Sequence, residues 1–489
     1  MAAPTKKKWN VIFLVYAELA ATADDLEIIT KNNTNYTPPQ DAPLSLPAEI
    51  ELTYLFNDII DAGNSPDVNV FVIYNRVDVD AHHDWTSLYL LQHKDDNGLV
   101  LQRIRKVENT NITKPGIIIT LFKETDKISQ CDHRMLFTWD HGAIYGIFKQ
   151  RDGLIDKWSR SKKYQVVKKH IDGNDEIVVL KGNQAYDRAW DEVNEKRAPF
   201  IPNACDKVPT VSPNQLINEI LTNEELTDAI TDGFDNYQTD ILIMMNCSMM
   251  NVNTTYALYR KNAVRYLIAP QSEINFPTFN YQQILTELYA NTRIKPFLLS
   301  RYIIQTLTHD RKYPRDSDFF SNMQFWAILC VDVRQYAKII FLINELILEL
   351  TYLITTDKKT TIKDNLNCCY RFDSYRQHIS DCMIDIRTFL FLCKGVSDKL
   401  YELHCDFEDH LNTFIVDSFI GPCLFPINNQ SGEFRSNLRP SGVSIFFPRN
   451  RSFIHPDIFQ SFIAENALSR SSFFSDIKWL DFICKYISH

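Results

Sequence analysis

The chain has 489 residues, 45% hydrophobic and 12% aromatic, with 52 Lys and Arg against 61 Asp and Glu for a net charge of −9. That length suits two or three domains, or one large core with an attached lobe, and the apolar content is enough to bury it. A mildly acidic balance argues against nucleic acid as the main partner, because phosphate binding calls for clustered Lys and Arg. Eleven cysteines, an odd number without regular spacing, do not form the pattern of a disulfide framework. Reduced thiols and a cytosolic setting are the expectation.

At the N-terminus, KKKWNVIFLVYAELAATADD imitates a signal peptide, with Ala21-Thr22-Ala23 as the cleavage site. Its apolar core is short and interrupted by Glu18, so WNVIFLVYA is read instead as a first buried strand. A loop follows (NNTNYTPPQDAPLSLP). AEIELTYLFNDIIDAG has helical spacing and stops at Gly63, and DVNVFVIYNRVDVD is a second strand. DWTSLYLLQ and GLVLQRIRKV read as a hairpin or edge strands. HRMLFTWDHG is a strand leading to His141.

Residues 150–212 have weak periodicity and many charges, with Lys157, Arg160, Lys162, Lys163, Lys168 and Lys169 close together. They read as a solvated linker, or more sharply as an exposed segment suited to proteolytic cutting. SPNQLINEILTNEELTDAI predicts one or two helices capped by Ser212 and Asn223. TDILIMMNC is a strand ending at Cys247, NTTYALYRKN a short helix and AVRYLIAP another strand. Residues 320–418 read as helical with Gly395 the one clear break. Within them, YAKIIFLINELILELTYLI is an amphipathic core helix rather than a membrane span, because Arg334, Lys338, Glu345 and Glu349 fall on one face. SGVSIFFP is a late strand and WLDFICKYI a terminal helix.

Short strands alternating with helices predict an α/β fold: a mainly parallel sheet flanked by helices, with an additional helical bundle in the C-terminal half. Residues 1–300 would be the core, 301–420 a helical subdomain, and 421–489 a strand and helix packing back on the core. In such sheets reactive groups collect at the carboxyl ends of strands, where His141 and Cys247 both fall. A thiolate is a strong nucleophile, and an imidazole can take the thiol proton and later protonate a leaving amine. The amides of Gly142 and Cys247 could hold the resulting oxyanion. Taken singly these signals are weak, since a buried Cys is usually a small hydrophobe.

Their order makes the case. The strand WNVIFLVYA, the TWDHG strand end, the helix LTNEELTDAI, the strand QTDILIMMNCSMM, the stretch YALYRKNAVRYLIAPQSEINFPTFNY, and the closing SGVSIFFPRN and WLDFICKYI together resemble the clostripain-like cysteine peptidases. These are relatives of caspases, gingipains and legumains. The resemblance touches most of the chain and is thin over 150–212 and the helical part. It implies a caspase-like fold, His141 as general base or acid, Cys247 as nucleophile, Gly142 and Cys247 as oxyanion amides, and Gln271, Ser272 and Glu273 lining the cleft. It also implies that Met245 and Asn246 line the substrate pocket, where trypsin-like members carry an acid two positions before the nucleophile. Met245 supplies no carboxylate, so an uncharged residue before the scissile bond is expected, with Glu273 the candidate that would compensate. Some relatives need calcium; no calcium loop is recognisable here, so no cofactor is assigned.

Other chemistry lacks support. Cys368, Cys369, His378 and Cys382, or His404, Cys405 and His410, fit no regular zinc spacing. Asp80, His82, His83 and Asp84 read as a polar strand end or loop. There is no Gly-x-x-x-x-Gly-Lys loop and no Gly-x-Gly-x-x-Gly after a strand. The expected partners are a protein or peptide substrate and an activating protein, with neither nucleic acid nor membrane. Two rivals stay open: a catalytically inactive or autoinhibited caspase-like module, and a zymogen whose cleft a partner frees.

Overall fold

From Trp9 to Tyr16 no residue of strand β1 (Thr5–Ala17) is more than 1% exposed. A strand covered on both faces carries apolar residues at odd and even positions alike, which is why this run shows no alternation. The chain is described by a computed structural model that covers residues 5–17, 27–31, 47–76, 85–94, 98–108, 110, 112–140, 142, 146–147, 164–171, 174–181, 221–235, 237–272, 274, 279–307, 327–369, 383–421, 440–448 and 471–488.

Around β1 the other strands of the main sheet are β2 (Ile28–Ile29), β3 (Val68–Arg76), β4 (Trp85–Lys94), β5 (Gly98–Glu108), β6 (Ser129–Trp139), β11 (Thr239–Met245), β12 (Val264–Pro270), β13 (Ala327–Asp332) and β15 (Ile415–Ile420). Their order is β15-β13-β12-β11-β6-β1-β3-β4-β5-β2. The five central strands β3, β1, β6, β11 and β12 run parallel, and both flanks are antiparallel. This is the mixed sheet of a caspase-like α/β fold, with antiparallel edges added to a parallel centre.

Helices cover both faces. On one side lie α1 (Pro47–Asp61), α5 (Tyr281–Ala290) and α6 (Pro296–Thr306), packing Leu55, Ile284 and Leu299 against Val11, Phe13, Phe137 and Ile243. On the other lie α2 (Pro115–Ile128), α3 (Asn223–Gly233), α4 (Val252–Arg260) and α7 (Tyr336–Leu353), packing Phe122, Ile230, Leu258 and Ile343 against Ile12, Leu136 and Leu242. The same side also carries α8 (Lys359–Asn367), α9 (Ile386–Cys393), α10 (Asp398–Phe414), α11 (Ser472–Asp476) and α12 (Trp479–Ser488). Helix α7 buries Ile339, Leu342, Ile343, Leu346, Ile347 and Leu350, so the expected amphipathic core helix is present. Among the described residues no helix is long and apolar enough to cross a membrane.

The structure differs from the sequence expectation in four places. The stretch 320–418, read as helical with a break at Gly395, contains β13 and β15, which extend the main sheet, and β14 (Met383–Asp385), which pairs with β16 (Ser444–Phe446). Six fully covered residues, AILCVD, show no periodicity that tells a strand from a buried helix turn. Within 150–212, β8 (Tyr164–Ile171) and β9 (Asn174–Lys181) form an antiparallel hairpin, signalled by Asp172-Gly173 between two β-branched runs; the basic positions 157–163 lie outside the described residues. The N-cap of α3 is Thr222 rather than Asn223, with a reciprocal capping box to Glu225, and Ser212 lies outside the described residues. A short strand, β10 (Leu221–Thr222), precedes that helix and pairs with β7 (Gly146–Ile147). Finally, β11 ends at Met245, two residues before Cys247.

Candidate active site

Strands β6 and β11 are neighbours in the sheet and run parallel, with Trp139 opposite Met245. Both end at the same edge, so the chain after Trp139 and the chain after Met245 emerge side by side. The next residues leave regular strand geometry. Asp140 takes a φ of 134°, and Ser248 takes 59°, both in a region that residues with a Cβ seldom occupy. These turns point the two segments away from the sheet edge.

The two segments touch through their main chains. A Cβ on Gly142 would lie 2.1 Å from the Cys247 carbonyl oxygen and 2.7 Å from its amide nitrogen. Only a residue without a side chain fits there. Asn246 is wholly buried; its amide nitrogen donates to the Asp140 carbonyl at 3.0 Å, and its carbonyl oxygen accepts from the Thr138 hydroxyl at 2.5 Å. The turn carrying Asp140 and Gly142 is thus fastened to the turn carrying Cys247 at two points.

Cys247 is partly exposed, on the α1/α5/α6 side of the sheet. Its thiol donates to the Ile274 carbonyl at 3.4 Å and accepts from the Ile274 amide at 3.4 Å. The turn after it is tied to the end of β12: Ser248 N–H donates to the Ser272 carbonyl at 3.0 Å and Met250 N–H to the Pro270 carbonyl at 2.8 Å. Asn251 then caps α4, accepting from the amides of Asn253 and Thr254. The nucleophile candidate therefore sits between a strand and a capped helix, held from both sides. Other thiols contrast with it. Desolvation pushes Cys131 up to about 11 and both Cys330 and Cys393 up to about 12, so these thiols stay protonated; Cys330 and Cys393 are core groups and Cys131 is partly exposed.

Compared with solved structures, the chain is similar to a secreted C11 cysteine protease from Bacteroides thetaiotaomicron, iotapain. The TM-score is 0.53 at 12% identity, over 98% of this chain and 100% of that one. It is likewise similar to an inactive zymogen C11 protease from Parabacteroides distasonis, with a TM-score of 0.51 at 12% identity over 99% of both chains. The fold is that of the C11, or clostripain-family, cysteine proteases. No family model matches the sequence, and no curated protein matches it.

Against this C11 frame the sequence-expected residues separate. Gly142 and Cys247 are brought together; His141 and Glu273 lie outside the described residues. Met245 is 1% exposed, faces the α1/α5/α6 core, and its sulfur accepts from the Tyr281 hydroxyl. Gln271 is 1% exposed and its side chain is built into the interior: its amide donates to Asp385 at 2.9 Å and Ser444 at 2.8 Å, while its carbonyl accepts from Gly442 N–H. Asp385 also accepts from Ser441 N–H, the Ser441 hydroxyl and Thr388 N–H. Ser272 is 7% exposed, with its hydroxyl accepting from Ala327 N–H. The side chains of Gln271 and Ser272 thus turn toward β13, Asp385 and the 441–446 segment. Sequence reasoning missed Ile274, Thr138 and Asp140. Ile274 acts only through its main chain and leaves no side-chain signal. Thr138 and Asp140 leave no local signal, because each meets Asn246 only through the pairing of β6 with β11, where Thr138 lies opposite Met244 and Trp139 opposite Met245. Among the described residues no three His, Cys, Asp or Glu side chains converge as a metal site.

Proposed function

We propose that the chain is a cysteine peptidase in which Cys247 is the nucleophile and His141 the proton carrier. The Cys247 sulfur adds to the carbonyl carbon of a peptide bond as the imidazole takes the thiol proton. That proton passes to the amine nitrogen as the C–N bond breaks, leaving an acyl-enzyme, and a water activated by the same imidazole then releases the acid. The amides of Gly142 and Cys247 receive the oxyanion, where two fixed N–H groups contribute most of what such a site offers. The observation that carries this reading is the Gly142–Cys247 main-chain contact, since it binds the Asp-His-Gly turn to the cysteine turn. With Met245 buried and paired to Tyr281, an uncharged residue before the scissile bond is the expected specificity.

A peptide-library cleavage profile tests both points at once. Wild type should cut, Cys247→Ala should not while melting at the same temperature, and Arg or Lys should not be enriched before the cut. Cleavage that survives in Cys247→Ala would remove the proposal. Repeating the assay in EDTA tells whether calcium is required. A cytosolic setting, motivated by the scattered odd set of cysteines, stays part of the reading and is tested by cell fractionation; the Bacteroides thetaiotaomicron neighbour is described as secreted.

A second reading, a latched zymogen awaiting an activating protein or a cut, is favoured by one contact. The S–H form of Cys247 makes both bonds to Ile274, whereas a thiolate could keep only the one from the amide. One C11 neighbour is itself described as an inactive zymogen. Intact chain and chain nicked within 150–212 should then differ in activity; equal activity argues the latch away.

A further inference from the structure

We infer that Asn246, through its buried hydrogen bonds to Asp140 and Thr138, is a positioning residue that fixes the backbone of Asp140, the residue before His141; this rests on the His141/Cys247 reading above.

Asn246 lies just past β11, where the alternation of the sheet sends Met245 to one face and the asparagine to the other. A polar amide at 0% exposure is costly unless each of its groups is satisfied. Both are used across the gap between strands. The Asp140 carbonyl can only accept, so it must face the amide nitrogen, and the Asn246 oxygen is thereby turned to Thr138, whose hydroxyl donates. The order of these bonds fixes which way the amide points.

The consequence falls on one peptide unit. Asp140 holds a φ of 134° that a residue with a Cβ adopts only when its surroundings impose it. Its carbonyl is the group Asn246 holds, and its carbonyl carbon is bonded to the nitrogen of the next residue, His141. Asn246 is itself bonded to the nitrogen of Cys247. A single side chain thus couples the residue before the histidine to the residue before the nucleophile. What Asn246 holds directly is the Asp140 carbonyl, one peptide bond before His141, and Asn246 itself stands one peptide bond before Cys247.

The test uses the full chain and measures alkylation of Cys247 by iodoacetamide as a function of pH, read peptide by peptide. His141→Ala supplies the reference profile for a cysteine without its partner. The wild-type profile should be displaced from that reference. Asn246→Leu, of similar size without the amide, and Thr138→Val, of similar shape without the hydroxyl, should move the profile toward His141→Ala, with at least a threefold change in rate at neutral pH. Thr138→Ser keeps the donor and should retain the wild-type profile, a rescue that loss of packing alone would not produce. Should Asn246→Leu fail to melt cooperatively, Thr138→Val against Thr138→Ser decides. Profiles of Asn246→Leu and Thr138→Val superimposed on wild type, with His141→Ala displaced, overturn the positioning role and leave the dyad standing. Superposition of wild type and His141→Ala overturns the dyad itself, and the positioning role with it.

Discussion

Gly142 and Cys247 are packed main chain to main chain, so closely that a Cβ at 142 would sit 2.1 Å from the Cys247 carbonyl oxygen. The contact joins two turns 105 positions apart in sequence, and it explains the glycine without reference to any substrate. Gly142→Ala is expected to push these turns apart, at a cost of about 1–3 kcal/mol typical of overpacking. The rate of Cys247 alkylation should change with it. A variant with the melting temperature and alkylation rate of wild type would show that the turns do not meet.

Met245 is sealed in the core under Tyr281. Met245→Leu preserves volume and should cost less than about 1.5 kcal/mol in chemical denaturation. Met245→Asp places a carboxylate where the thioether was, and an unpaired buried charge costs several kcal/mol. If Met245→Asp melts like wild type and acquires cleavage after Arg or Lys, the position opens to the cleft and its burial in the resting chain does not govern specificity.

Glu224, at the start of α3, is held above the ordinary carboxylate range by burial, with hydrogen bonds from Ser472 N–H and the Ser472 hydroxyl partly opposing that shift. A carboxyl whose folded value is raised binds its proton more tightly folded than unfolded. Its stabilising contribution is therefore full below the unfolded value of about 4.3 and is lost as pH rises through the folded value. Glu224→Gln keeps an oxygen acceptor for Ser472 without the charge. Its melting temperature should vary less than that of wild type as pH rises from about 4.3, and at neutral pH it should be no lower. A large loss of stability at neutral pH would mean that the charged form is the one the fold needs.

Asp385 is fully buried and accepts from Gln271, Ser441 and Thr388, joining β12, β14 and the 441–446 segment. Asp385→Ala leaves several donors buried without partners. At roughly 1–3 kcal/mol for each such group, a loss of at least about 3 kcal/mol is expected in denaturant unfolding. Wild-type-like unfolding would show the network to be dispensable.

Exposure and burial divide the thiols. In the native chain Cys330 and Cys393 should resist alkylation, being buried and protonated, and partly exposed Cys131 should react slowly because its thiol is held protonated, whereas Cys368 and Cys405 react because they are exposed. Cys247 is only partly exposed, so a rate above those of Cys368 and Cys405 would report activation rather than access. A Cys247 rate below both, rising after a cut within 150–212, is the outcome that matches the Ile274 latch.

By itself the sequence determined the elements whose pattern is local. WNVIFLVYA, HRMLFTWDHG, TDILIMMNC and AVRYLIAP announce covered parallel strands through unbroken apolar runs, and α1, α4, α7 and α12 announce themselves through helical spacing. The pair of strand ends at Asp-His-Gly and Asn-Cys was legible for the same reason, as polar or reactive residues placed where apolar runs stop. Only the tertiary structure decided what depends on contacts between distant segments. Six covered residues at 327–332 carry no period, so their place in the sheet rests on pairing with β12 and β15. Gln271, Ser272 and Asn246 are polar residues near Cys247, and nothing local tells a side chain that faces outward from one that turns inward. That choice belongs to Asp385, Ala327, Thr138 and Asp140, which reach them from elsewhere in the chain because a buried polar group must find its hydrogen bonds wherever the fold supplies them.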